Sequence, residues 1–328
     1  MVVKILMNKD IEKRRAKVKV CMITYNHEFF LEDAINGVLS QRAPFDIELV
    51  IGEDCSTDKT RSICEKFASK WPGKINLLPS DKNYGIQDNT FRTLAACSDA
   101  DYVAFCEGDD KWVDSHKLAH QVDFLEKNHD FLAHAHNVIR RDVRDKVDSN
   151  FGEVVDKVCS TEEMFTGWPF HTVSLIVRGS LLRSIPVDNL PRFISGDRFF
   201  NRWISCHGDL FYEGTKFMAV YHYHPYGASA NSNYLELRYQ ELEMLAFFES
   251  YLTVDEFRIK AKIHAIRDVA LYWAERYGEK KHNKIKLAAD YIKLSSFKKK
   301  SDYYYLLLIL FGRFFLLLHR NIMKIKRL

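Results

Sequence analysis

Three acidic residues follow a short apolar run near residue 105, in a pattern that suits metal chemistry. Glu107, Asp109 and Asp110 stand within four residues directly after YVAFC. Carboxylates packed this closely repel one another unless they are solvated or neutralised. A hard divalent cation, Mg²⁺ or Mn²⁺, removes the repulsion, and substrate phosphates commonly complete its coordination. The alternative interpretation is a solvated acidic turn that binds nothing.

Polar side chains also end two apolar runs further upstream. Residues 24–26 (TYN) follow the run at 18–23, and Glu53 and Asp54 follow the run at 47–52. Neither run leads into a G-x-G-x-x-G or a G-x-x-x-x-G-K-[ST] phosphate loop, so a bound phosphate needs another counter-charge. These polar ends are the candidate site.

The elements that must position these side chains alternate between β-rich and amphipathic helical runs from residue 18 to 126. The predicted strands are 18–23, 47–52, 74–79 and 102–106, with further strands near 132–139, 173–178 and 217–223. Residues 234–297 have a helical pattern. A βαβα order predicts a mostly parallel sheet with helices on both faces and ligands at the carboxyl ends of the strands.

The net charge of +4 is concentrated at the two ends of the chain. Residues 1–19 contain seven Lys and Arg against two acidic residues, and residues 298–328 contain eight against one. Basic ends on an acidic body favour a membrane surface over nucleic acid as partner. The apolar stretch 303–318 is too short to span a bilayer, so it predicts an amphipathic interfacial helix or a terminal helix docked on protein.

The seven cysteines contain no C-x-x-C pair, so the sequence predicts neither a zinc ribbon nor a disulfide framework. The N-terminus has too few apolar residues before its charges for a signal peptide. We therefore expect a cytoplasmic protein, peripherally associated with the inner face of the cell membrane.

Four segments resemble, in order and spacing, the family 2 glycosyltransferases. They are 21–41, 52–60, 83–94 and 106–112, with looser similarity at 195–200 and 218–229. The resemblance implies a Rossmann-like α/β fold of the A type, with a mostly parallel central sheet flanked by helices. The helical pattern of residues 234–297 adds a C-terminal helical extension to this fold. It also implies inverting transfer of a sugar from a nucleoside-diphosphate sugar, commonly a uridine one, to a hydroxyl of a glycan or glycolipid, as in bacterial polysaccharide synthesis.

The resemblance also implies roles for five residues in donor binding. Thr24 and Tyr25 would line the base pocket, and the Asp54 carboxylate can accept the N3–H of uracil. Asn83 and Arg92 occupy polar positions of the third segment, and an arginine near the pyrophosphate or base is chemically reasonable. These positions predict a donor site across the strand ends.

The fourth segment carries the family's acidic pair. Glu107 stands where the family usually has aspartate, nearer the ribose, and Asp109 is the main predicted metal ligand, with Asp110 as support. His224 matches a family histidine near the pyrophosphate and completes the predicted metal set with Glu107 and Asp109. His222 stands where the family usually has arginine, so one phosphate contact is expected to be weaker.

Asp197 resembles the family's general base, the group that takes the acceptor's hydroxyl proton. It lies in Ser195-Gly196-Asp197-Arg198, beyond the nucleotide-binding half. The competing interpretation pairs Asp197 with Arg198 or makes it a helix cap. Asp188 and Asp209 are the alternative bases.

Three further histidines are interpreted as structural rather than as metal ligands. His134 and His136 alternate on a predicted strand, and His171 lies before the next one. Paired histidines on one strand face are more often packed than ligating.

The predicted organisation has five segments. They are a basic arm (1–17), a nucleotide-sugar-binding half (18–127), an acceptor-binding half of the same domain (128–232), a helical extension (233–297) and a basic amphipathic tail (298–328). Two other functions stay open: a catalytically inactive nucleotide-sugar-binding partner of another transferase, and a sugar nucleotidyltransferase. The latter normally has a glycine-rich basic loop after its first strand, which TYNH does not supply.

Overall fold

The computed structural model describes residues 16–192, 196–225 and 227, together with scattered positions between 240 and 309. The basic arm up to residue 15 and almost all of the predicted helical extension and basic tail lie outside the described residues. Described positions of the extension that do pack on the body include Met244, Leu245 and Phe248.

Within the described residues, ten strands form one sheet. They are β1 (Lys17–Thr24), β2 (Asp46–Glu53), β3 (Ile75–Leu77), β4 (Tyr102–Phe105), β5 (Lys111–Trp112), β6 (Phe131–Asp142), β7 (Val147–Asn150), β8 (Asp156–Val158), β9 (Ile176–Arg178) and β10 (Asp209–Tyr223). Their spatial order is β3-β2-β1-β4-β9-β6-β10-β5, with β7 on β6 and β8 on β10.

The strand directions bring the polar ends of four strands to one edge. β1 pairs in parallel with β2 and β4, and β2 pairs in parallel with β3. β9 is antiparallel to both β4 and β6, and β10 is parallel to β6, so β6 and β10 run in the same direction as β4. The carboxyl ends of β1, β2, β4 and β10 therefore share one edge, where open α/β sheets bind ligands.

Seven α-helices in the described part of the chain cover both faces of this sheet. They are α1 (Leu31–Leu39), α2 (Thr60–Lys70), α3 (Ile86–Ala95), α4 (Lys117–Lys127), α5 (Thr161–Thr166), α6 (Gly179–Arg183) and α7 (Gly196–His207). Val20 and Met22 of β1 pack in one core with α1, α2 and α4, whereas Cys21 packs in the other with α3, α5, α6 and α7. Burial on both faces explains why β1 is a continuous apolar run.

The predicted parallel sheet and its first four strands are confirmed, while the later strands differ in extent. The predicted strand at 173–178 begins inside a 3₁₀ turn, Thr172–Ser174, and only Ile176–Arg178 is β-strand. β10 begins at Asp209 rather than near 217. Its first half contains Gly214-Thr215-Lys216, a turn-like composition, and the register with β6 shifts between Glu213 and Phe217. A bulge of this kind interrupts the alternation of apolar and polar residues by which a strand is predicted from a sequence.

Candidate active site

The loops that follow β1 and β2 are joined to each other. Asn26 and Cys55 have positive φ angles of 57° and 59°, which turn the chain back at the strand ends. The Asn26 side chain accepts the backbone N–H of Thr57 at 2.9 Å, and the backbone N–H of Asp54 donates to the carbonyl of Thr24 at 3.0 Å. The buried Thr24 and the half-exposed Tyr25 therefore lie beside Asp54 at this edge.

Asp54 organises the loop that precedes α3. Its Oδ1 and Oδ2 accept the backbone N–H groups of Tyr84 at 2.7 Å and Gly85 at 2.9 Å, and its carbonyl accepts from Asn83 Nδ2 at 2.9 Å. The structure thus brings the predicted residues Asp54 and Asn83 together. Each carboxylate oxygen keeps a second lone pair that can accept a further N–H.

Arg92 is bound into the protein at the same edge. Its guanidinium donates to Asn89 Oδ1 at 2.9 Å and to the carbonyls of Pro79 and Glu53 at 2.7 Å, and it lies 4.4 Å from the Tyr84 ring centre. These contacts fix a positive charge beneath the loop that Asp54 organises.

Two imidazoles flank the Asp109 carboxylate beyond the end of β4. Asp109 Oδ2 lies 3.1 Å from His224 Nε2 and 3.5 Å from His27 Nε2. Burial acts to raise the pKa of Asp109, but the charge interaction with His27 and the hydrogen bond from His224 outweigh it and hold the pKa at about 2. Asp109 is therefore anionic at neutral pH.

Glu107 has the opposite electrostatic character. Burial, the negative charge of Asp109 and a smaller contribution from Asp197 raise the pKa of Glu107 to about 8. Its Oε2 is buried and has no hydrogen-bond partner among the described residues. A buried hydrogen-bond acceptor without a partner is explained if a ligand or ion binds to it. The carboxylates of Glu107 and Asp109 and the imidazole of His224 together form a donor set that fits a divalent cation.

Gly108 lets this acidic turn lie directly on the end of β1. A Cβ atom at Gly108 would lie 2.3 Å from Thr24 Oγ1 and 3.1 Å from His27 Nδ1. Any larger side chain would push the carboxylates away from the strand.

Asp110 lies behind the acidic pair. It is 2% exposed, and its Oδ1 accepts the backbone N–H of His222 at 3.2 Å, while its Oδ2 lies 3.7 Å from His171 Nδ1. Burial raises the pKa of Asp110 well above its usual range. His222 Nδ1 lies 2.8 Å from the carbonyl of Asp109, so this imidazole contacts the backbone of the acidic turn.

Asp197 lies in the first turn of α7, and its negative charge reaches Glu107. Burial raises its pKa, although the N–H groups of Arg198 and Trp168 act in the opposite direction. The preceding Ser195 lies outside the described residues. Asp188 sits in an exposed 3₁₀ turn, and Asp209 begins β10 at the edge of the sheet opposite the acidic turn. The structure therefore places Asp197, and not Asp209, on the side of the candidate site.

His27 and Phe30 belong to the site but were not identified from the sequence. The Phe30 ring stacks on His224 at 4.8 Å and lies 5.3 Å from His222. The only signal in the sequence was the histidine-aromatic run HEFF (27–30), which begins three residues after the end of β1. This run gives no indication of contacts with the distant residues His222 and His224.

A second cluster of possible metal ligands lies on α4, β6 and β10. Nitrogens of His120 and His134 and an oxygen of Glu213 all lie within 4.8 Å of one another. Gln121 accepts from Lys117 Nζ at 2.7 Å, so its amide N–H₂ faces His134 Nδ1 at 3.0 Å. The His134 proton then resides on Nε2, whereas a ligating histidine needs its lone pair there. We interpret this cluster as a hydrogen-bonded polar network.

The sheet order and the acidic strand end define an A-type glycosyltransferase fold. S. aureus TarS residues 1–349 in complex with UDP-GlcNAc superimposes with a TM-score of 0.57 at 17% identity, over 89% of this chain and 79% of TarS. The mannosyltransferase PcManGT from Pyrobaculum calidifontis, in complex with GDP-Man and Mn²⁺, gives a TM-score of 0.52 at 19% identity, over 92% and 88% of the two chains. The fold class expected from the sequence is confirmed.

The family follows from sequence similarity. Residues 19–174 match the model of glycosyl transferase family 2, so this part of the chain is a family 2 glycosyltransferase domain. The dTDP-rhamnosyl transferase RfbG from Shigella flexneri is 36% identical over 107 residues, which are 32% of this chain and 36% of RfbG. The chain spans about a third of the length of the first curated relatives it matches. The family expected from the four motifs is confirmed.

Proposed function

We propose that this chain transfers a sugar from a nucleoside-diphosphate sugar, of the uridine type, to a hydroxyl of a glycan or glycolipid with inversion at the anomeric carbon. The proposal rests on one observation. Four carboxyl side chains lie together at one edge of the sheet: Asp54, Glu107, Asp109 and Asp197. Sugar nucleotides in TarS and PcManGT, two proteins of the same fold, support a donor of this class.

Asp109, Glu107 and His224 are the residues that would hold a divalent cation, Mn²⁺ or Mg²⁺. The bound cation would neutralise the diphosphate of the donor and of the departing nucleoside diphosphate. The carboxylate of Asp109, already anionic at neutral pH, offers the first ligand. The Oε2 atom of Glu107, which accepts no hydrogen bond within the part of the chain that the structure describes, offers another. The Mn²⁺ in the PcManGT complex supports the choice of metal.

Asp197 is the proposed general base. It lies outside the acidic turn and so stays free of the metal, and its pKa is raised by burial, which makes it a better proton acceptor. As the acceptor oxygen bonds to the anomeric carbon, its proton passes to the Asp197 carboxylate. The bond from that carbon to the diphosphate breaks, and its electron pair leaves with the nucleoside diphosphate.

The proposal also places the protein at a membrane surface through residues 298–328, which lie almost wholly outside the described residues. Within the described part of the chain, no helix has the length and apolar character needed to cross a bilayer. Flotation with anionic liposomes should carry the full-length protein but not a variant truncated after residue 297. Equal recovery of both in the lipid-free fraction would contradict this localisation.

A thermal-shift panel of nucleotide sugars tests the proposed function. A bound donor raises the apparent melting temperature by mass action. We expect a shift with one class of donor, larger in Mn²⁺ than in EDTA. A panel with no shift in either condition would count against donor binding.

A further inference from the structure

The Asp197 carboxylate is held by two neutral donors. Trp168 Nε1 donates to Oδ2, and the backbone N–H of Arg198 donates to Oδ1 at 2.8 Å. Each oxygen accepts one N–H, which fixes the plane of the carboxylate and leaves a lone pair on each oxygen. These two N–H groups and the charge of the nearby Arg198 guanidinium lower the pKa of Asp197, but burial outweighs them and the pKa stays raised.

Trp168 is in turn fixed from behind. The Arg198 guanidinium lies 3.6 Å from the centre of the Trp168 ring, and Arg198 Nη1 contacts Glu241 Oε1 at 2.8 Å. Glu241 also accepts from the buried Arg202. Arg198 and Glu241 are 9% and 6% exposed, so this support is buried.

Trp168 itself remains 43% exposed, although tryptophan is usually well buried. Core packing therefore does not account for this side chain. Among the described residues, its polar contacts are the N–H bond to Asp197 and the stack on Arg198, and both act on the orientation of the carboxylate.

We propose that Trp168 is a positioning residue for Asp197, whose indole N–H holds the carboxylate in the orientation that accepts the proton of the acceptor hydroxyl. The proposal rests on the proposed function, because it assumes that Asp197 is the base. The proton that Asp197 receives returns to solvent after the nucleoside diphosphate has left.

Steady-state release of nucleoside diphosphate by the full-length protein tests the proposal across a range of pH. In Trp168→Phe, which keeps the aromatic ring and loses the N–H, we expect kcat to fall about tenfold and the donor KM to stay within about twofold. The acidic limb of the kcat profile should move to higher pH, because the lost N–H stabilised the charged carboxylate.

Two further variants separate positioning from folding. Trp168→His places a ring N–H at the position of the indole N–H and should recover most of kcat above neutral pH. Trp71→Phe alters another partly exposed tryptophan at the end of α2 and should leave kcat and the pH profile unchanged. If Trp168→Phe fails to fold, a Trp168→His variant as slow as Asp197→Asn would overturn the proposal.

Asp197→Asn distinguishes failure of this inference from failure of the proposed function. If Asp197→Asn is inactive while Trp168→Phe has the wild-type kcat and pH profile, Trp168 does not position the base and the proposed function stands. If Asp197→Asn remains active, Asp197 is not the general base, and the proposal that Trp168 positions the base is also wrong.

Discussion

Asp109 and Asp197 are carboxylates of the same chemical type in contrasting surroundings. Asp109, on the proposed donor side, lies beside the imidazoles of His27 and His224, which hold its pKa at about 2 against the effect of burial. Asp197, on the proposed acceptor side, is held by the N–H groups of Trp168 and Arg198, and burial raises its pKa. The surroundings of Asp109 therefore favour a permanent anion, whereas those of Asp197 favour a group that accepts a proton.

This difference shows how one sheet edge can separate two roles. A metal ligand must stay charged, whereas a general base works best when its pKa approaches the working pH. Imidazole neighbours favour the first state, whereas burial favours the second, and the N–H donors on Asp197 offset that effect only in part. Four substitutions test whether the two carboxylates differ in this way.

The largest effect is expected for Asp197→Asn. Removing a general base should lower turnover by about 10²–10⁴-fold, because the amide cannot accept the hydroxyl proton. Nucleoside diphosphate release measures this loss, whether water or a sugar is the acceptor. A variant that keeps more than about a tenth of wild-type turnover would exclude Asp197 as the base.

Asp109→Asn should remove the anionic ligand and lower Mn²⁺ affinity by about 100-fold or more. Electron paramagnetic resonance of free Mn²⁺, recorded with added nucleoside diphosphate, measures this affinity directly. Unchanged circular dichroism would show that the fold is retained. Wild-type Mn²⁺ affinity in the variant would refute the metal role of this carboxylate.

Gly108→Ala should displace the acidic turn, because the new Cβ would meet Thr24 Oγ1 at 2.3 Å. We expect donor affinity in Mn²⁺ to fall about tenfold and stability to fall by about 1–3 kcal/mol. Gly73→Ala is the matched control, since Gly73 has a positive φ of 76° in the turn after α2. The control should lose stability and keep donor affinity; an equal loss of affinity in both variants would make the effect nonspecific.

Glu213→Gln tests whether imidazole neighbours depress a carboxylate pKa outside the donor edge. Burial acts to raise the pKa of Glu213, but hydrogen bonds from His134 and His120 outweigh it and set the pKa at about 2. A lowered folded-state pKa stabilises the protein above the unfolded value, and this stabilisation is lost as pH falls from about 4.5 to about 2.

The variant should therefore lose about 1–2 kcal/mol near neutral pH, and the difference should shrink over that acidic range. Urea unfolding at several pH values measures it. Asp148→Asn, in the exposed pair with Arg141 at 2.7 Å, is the control and should change stability much less than Glu213→Gln, because solvent screens that pair. A pH-independent difference for Glu213→Gln would show that packing, rather than charge, is responsible.

The donor side was largely predictable from the sequence because its residues follow strands with strong apolar patterns. β1, β2 and β4 are buried on both faces, so their ends, and with them Asp54 and Asp109, could be located by pattern. The Asp109–His224 contact spans 115 positions and depends on β10 running parallel to β6. Only the resemblance to family 2 glycosyltransferases indicated that His224 belongs to the same site as Asp109.

The surroundings of the acceptor side could not be predicted. Trp168 follows the short helix α5 and carries no periodic signal, and its bond to Asp197 depends on how α5 packs against α7. One interpretation of the sequence made Asp197 a helix cap, but nothing in the sequence predicted that the Arg198 guanidinium would stack on an indole ring. Such contacts arise from tertiary packing, which local patterns do not encode.

The measurement that tests the division of roles most directly is a calorimetric titration of the donor selected by the thermal-shift panel. The titration is made in Mn²⁺ buffer into the wild type, Asp109→Asn and Asp197→Asn. We predict nearly equal donor affinity for the wild type and Asp197→Asn, and a loss of about 100-fold or more for Asp109→Asn. Equal affinity in all three proteins, or a loss confined to Asp197→Asn, would contradict the account.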